Sequence, residues 1–229
     1  MTQAAETPLR RRGYWTAGMA GGSALVFAII VYAATGPTLG LFFGGLVVVT
    51  LLLPPMVLCE RALARQGLIA SAVNDAVGLV WLVAVGWSQT TFSQWLGCYL
   101  MLAAYSFALW GLVRCLRAVR LPAVPAAAIT IVVSMLWLTW PVWLARALDD
   151  RAVAWLTPAH PPLAINGVVT HLGVWSEQAI AYRELMNLGQ DVSYQLPDSI
   201  LAGVFAHVIA GGVLMGVASL RAEVDGDGA

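Results

Sequence analysis

Apolar residues run along this chain in long unbroken blocks rather than on one face of an otherwise polar helix. The blocks cover 14–34, 41–59, 68–87, 98–113, the stretch from Pro122 and Pro125 to 145, and 200–220. A helix rises about 1.5 Å per residue, so about 20 apolar residues cross the hydrocarbon core of a bilayer. The pattern predicts an all-α integral membrane protein with six transmembrane helices. The first block is longer than the roughly 7–15 apolar residues of a secretory signal, so it is expected to remain as a span. The expected divisions are an N-terminal tail at 1–13, a five-helix membrane region at 14–145, a polar segment at 146–199, a sixth span at 200–220 and a tail at 221–229.

The segment 146–199 interrupts this pattern. It should form a partly helical extracytoplasmic cap between the fifth and sixth spans. Pro158, Pro161 and Pro162, with Asn166-Gly167, predict irregular backbone and a turn. Leu163, Ile165, Val168, Val169 and Leu172 predict that this backbone packs on the bundle. Ser176 is suited to cap a helix over 177–188, and Gly189 to stop it.

Arginine sets the expected orientation, because the chain has no lysine. Arg10, Arg11, Arg12, Arg61, Arg65, Arg114, Arg117, Arg120 and Arg221 fall at one side of a six-span arrangement. Arg146, Arg151 and Arg183 fall in the long segment on the other side, where charges count least. Both termini are therefore expected in the cytoplasm, with the protein in a bacterial inner membrane.

Composition narrows the picture further. Hydrophobic residues make up 60% of the chain and charged residues 10%, against about 25% charged in soluble domains. Lipid is the expected solvent and the first partner. No basic patch is interleaved with aromatics, so nucleic acid is not an expected partner. Cys59, Cys98 and Cys115 form no CxxC and divide between opposite membrane sides, so buried apolar roles are expected rather than a disulfide.

Several residues carry potential chemistry. Asn74 and Asp75 lie inside an apolar block, where an Asp near the helix centre costs about 2.5–3.5 kcal/mol. Asp75 is thus expected to face the bundle interior. His207 lies inside the last span, between Gly203 and Gly211 on one helical face. His160, His171 and Glu177 in the polar segment are candidate catalytic groups, and His160, His171 and His207 are weak candidate metal ligands without a ligand-spacing motif. Gly18 with Gly22, Gly203 with Gly211, and Gly212 with Gly216 are expected to let helices approach closely. Trp137, Trp140, Trp143, Trp155 and Trp175 are expected interface anchors; a quinone shelf is the alternative for the first three. Pro54-Pro55 should kink the second span.

No phosphate loop, nucleophile elbow or nucleotide fingerprint occurs, and no cofactor is expected. The leading expectation is a non-catalytic structural or accessory subunit, packed with other membrane subunits or with copies of itself. The alternatives are a transporter or permease component using Asp75 and His207, and an outer-leaflet enzyme using His160, His171, Glu177 and His207.

Overall fold

A computed structural model describes residues 37–60, 62–144, 147–170 and 196–226. Among the described residues every regular element is an α-helix and no strand occurs. The helices are α1 (Pro37–Leu58), α2 (Leu63–Gln89), α3 (Phe92–Ala118), α4 (Ala123–Trp143), α5 (Asp150–Ala159), α6 (Pro161–Thr170) and α7 (Leu201–Gly226). Five of them, α1, α2, α3, α4 and α7, are long and apolar enough to cross a membrane. These five coincide with the second to sixth expected spans. The first expected span, with Gly18 and Gly22, lies outside the described residues, as do His171, Trp175, Glu177 and the helix expected over 177–188.

The α3 helix is the hub. It packs on α1, α2, α4 and α6, and most extensively along α7. Its start is fixed locally. Thr91 accepts from the Gln94 backbone N–H while the Gln94 side chain accepts from the Thr91 N–H, a reciprocal capping box. This cap starts α3 six residues before the expected boundary at 98. At the other end, Arg120 sits at φ 65°, and Leu121 N–H reaches Leu116 C=O while Arg120 N–H reaches Arg117 C=O. Those bonds close a Schellman motif, with Arg where Gly is usual.

Contacts between spans fix the relative direction of three of them. Trp95 Nε1 donates to Gly78 C=O and Trp110 Nε1 to Gln66 Oε1, so α2 and α3 run antiparallel. Gly203 meets Met101 and Gly211 meets Phe107 and Ala108, so α3 and α7 run parallel. Gln66 also accepts from Arg114 and donates to Glu60 C=O. The ends bearing Arg65, Arg114 and Arg117 therefore gather at one side of the bundle.

The segment after α4 departs from the irregular backbone expected around 158–167. Pro158 lies within α5, and Pro161 and Pro162 open α6. Proline is tolerated in a first turn because those N–H groups have no intrahelical acceptor. Asn166-Gly167 sits inside α6 and makes no turn. Gly167 is needed there for space: a Cβ would stand 2.3 Å from Pro197 C=O. Residues 161–167 are all buried. Gln94 Nε2 donates to Val168 C=O at 2.9 Å, tying α6 to the start of α3.

Candidate functional site

A polar seam runs through the interior where α1, α3, α4, α5 and α7 meet. Its first part joins three helices by hydroxyls. Thr50 donates to Leu46 C=O at 2.8 Å, which leaves its oxygen to accept from Tyr105 OH at 2.7 Å. Ser134 bonds in turn to Tyr105. The chain Ser134 to Tyr105 to Thr50 to a backbone carbonyl is fully satisfied, and each member is buried. It fixes the register of α1, α3 and α4, because no hydroxyl can leave without orphaning its neighbour.

The second part is aromatic. His207 stands edge-on to Tyr105 with ring centroids 5.6 Å apart, and its Nδ1 lies 2.8 Å from Gly203 C=O. Trp137 lies 6.3 Å from the His207 ring and 5.7 Å from the His160 ring, and Trp140 lies 5.7 Å from His160. His160 is the α5–α6 junction residue, 1% exposed, with Nε2 3.1 Å from Leu138 C=O. The structure thus brings His160 and His207 to one cluster around Trp137. Trp140 is 2% exposed, so it faces inward where a headgroup belt was expected, because it and Trp137 wall the histidine. Trp155 is 83% exposed on α5.

Burial pushes the His160 imidazole down to about 3, against the smaller opposing effect of its bond to Leu138 C=O. The unfolded imidazole takes up its proton near the ordinary value of 6.5, the folded one only near 3. Between those limits the unfolded state binds more protons, so stability falls as pH drops, at up to about 1.4 kcal/mol per pH unit. The wild type should lose thermal stability between about pH 7 and pH 4.5 more steeply than His160→Gln, which keeps a donor for Leu138 C=O. Equal slopes would show that His160 is not held neutral.

Asp75 stands apart from this seam. It is exposed on α2, accepts from Tyr99 OH of α3, and accepts from Ser71 Oγ at 3.3 Å. The expected inward orientation is therefore not the observed one. Its neighbour Asn74 is the inward residue, buried, with Ser106 Oγ 3.4 Å from its Oδ1. Asp75 belongs to the α2–α3 edge and His207 to the α3–α7 contact. Among the described residues no group of three metal-ligating side chains converges.

The glycines of α7 divide by face. Gly203 and Gly211 are buried against α3, whereas Gly212 and Gly216 have nothing within 4 Å of an added Cβ. Around the open pair lie exposed Ile209, Val213, Val217 and Leu220.

Among the described residues these features define an all-helical membrane protein, with five apolar helices of spanning length, a buried chain of hydroxyls and an exposed carboxylate on α2. No family model, curated protein or solved structure matches the chain.

Proposed function

We propose that this protein is a non-catalytic accessory or scaffold subunit of a membrane assembly, docked through the α2–α3 edge. The observation that carries the reading is the outward Asp75. It lies at the twelfth residue after the start of α2, about 18 Å along the helix at about 1.5 Å per residue, which is mid-span. An Asp at that depth facing acyl chains costs about 2.5–3.5 kcal/mol. Bonds from Tyr99 and Ser71 offset part of this. A neighbouring transmembrane helix carrying a hydroxyl, amide or basic donor would offset the rest and exclude lipid.

Orientation follows from the same physics. The arginine-rich ends of α2 and α3 face the cytoplasm and α5–α6 the opposite side, in a bacterial inner membrane, by the positive-inside bias. In this reading the polar seam holds the subunit rigid and performs no turnover.

Asp75→Leu should leave the isolated protein folded and release it from its assembly. Native mass spectrometry of the tagged protein, extracted from its own membrane, reads both states. Wild type in a discrete complex and Asp75→Leu as a free monomer is the expected pair of results. A wild-type monomer under mild extraction would remove the basis for the reading.

A further inference from the structure

The fold leaves two neighbouring buried polar side chains with an unmatched atom each, His160 and Trp137. His160 Nε2 faces a carbonyl oxygen, Leu138 C=O at 3.1 Å. A carbonyl only accepts, so Nε2 carries the ring proton and Nδ1 is a bare lone pair. That Nδ1 is shielded from solvent and has no hydrogen-bond partner among the described residues. Trp137 Nε1, which can only donate, is in the same condition. The two rings are neighbours, with centroids 5.7 Å apart at 78°. One acceptor and one donor, each costly to bury unpaired, are therefore carried by two adjoining rings.

The pair selects its ligand by chemistry. A cation would satisfy the imidazole lone pair and be repelled by the indole N–H. An anion would satisfy the N–H and be repelled by the lone pair. A group that donates and accepts through one oxygen satisfies both. We propose that Trp137 and His160 together hold a single neutral hydroxyl, its O–H donated to His160 Nδ1 and its oxygen accepting from Trp137 Nε1–H. The hydroxyl comes either from an internal water, which needs two to four polar partners, or from a lipid-soluble phenol such as a quinol. The site is independent of the Asp75 edge, on a different side of α3, so the two proposals stand or fall separately.

Indole-¹⁵N-labelled full-length protein in lipid nanodiscs provides the test, with the Trp137 signal assigned by its loss in Trp137→Phe. A water cross-peak to the Trp137 indole proton, lost in His160→Gln, supports the site with water as its occupant. No water cross-peak, but a saturable Trp137 shift on adding decylubiquinol that His160→Gln abolishes, supports it with a phenol as occupant. The proposal is overturned if neither probe reaches Trp137, or if either signal persists unchanged in His160→Gln. Should that variant fail to fold, the wild-type spectra decide alone: contact from either probe supports the site, and contact from neither overturns it.

Discussion

Gly211→Val is expected to unseat α7 from α3, while Gly212→Val, one residue along, is expected to leave the isolated protein unchanged. A Cβ at 211 would stand 2.5 Å from Phe107 Cδ1 and 3.1 Å from the Ala108 backbone N. The Phe107 ring can turn away, but the α3 backbone cannot, so two helices that touch along their length must separate. Overpacking of a fixed contact costs about 1–3 kcal/mol and occasionally more. Here the upper end applies, about 3 kcal/mol, because Gly111 packs on the Gly211 carbonyl from the opposite helix. At 212 nothing lies within 4 Å, so the change should fall within about 0.5 kcal/mol. The pair adds the same side chain at adjacent positions of one helix, which controls for hydrophobicity and β-branching. Thermal unfolding in one detergent reads the difference; similar losses at both positions would mean that α7 does not pack as described.

Tyr105→Phe is expected to be the second large effect. It removes one hydroxyl but breaks the chain that links three helices. Ser134 loses its acceptor and Thr50 its donor. The Thr50 and Ser134 oxygens, 3.4 Å apart, can close part of the gap. A membrane hydrogen bond contributes about 0.6 kcal/mol on average and up to about 1.7, so losing two predicts about 1–2 kcal/mol. Thr50→Val removes an end of the chain and should cost less. The order Tyr105→Phe above Thr50→Val, measured by denaturant unfolding in bicelles, checks the direction of the network; the reverse order would contradict it.

Some of this was legible in the residues and some was not, for identifiable reasons. Unbroken apolar blocks marked the five described spans, because a bilayer demands length and apolarity whatever the packing. The spacing of Gly203, His207 and Gly211 placed them on one face, and that face is buried against α3. Which face of the other spans turns inward was not legible, since lipid is as apolar as the core and leaves no polar stripe to read. Asp75 shows the consequence: its partner Tyr99 comes from the next helix, and nothing in the α2 pattern reveals it. The α3 cap was on the page as Thr91-Phe92-Ser93-Gln94, a Thr-x-x-Gln signature hidden inside a segment read as loop. Pro161 and Pro162 misled, because in a first turn proline permits a helix rather than breaks it, and Pro158 falls at the end of α5 rather than before it. The meeting of His160 with Trp137 and Trp140 joins α4 to the α5–α6 junction and has no local signal at all.

In the working protein the α2–α3 edge around Asp75 is expected to be covered by another membrane helix. Site-specific photocrosslinking tests it most directly. A benzophenone side chain at Ala72 or Ala76, exposed neighbours of Asp75, is activated in intact membranes beside the same probe at Val124, exposed on α4. The expected result is a discrete protein adduct from 72 and 76 that disappears with Asp75→Leu, and only lipid adducts from 124. Lipid adducts alone from all three positions would contradict the account.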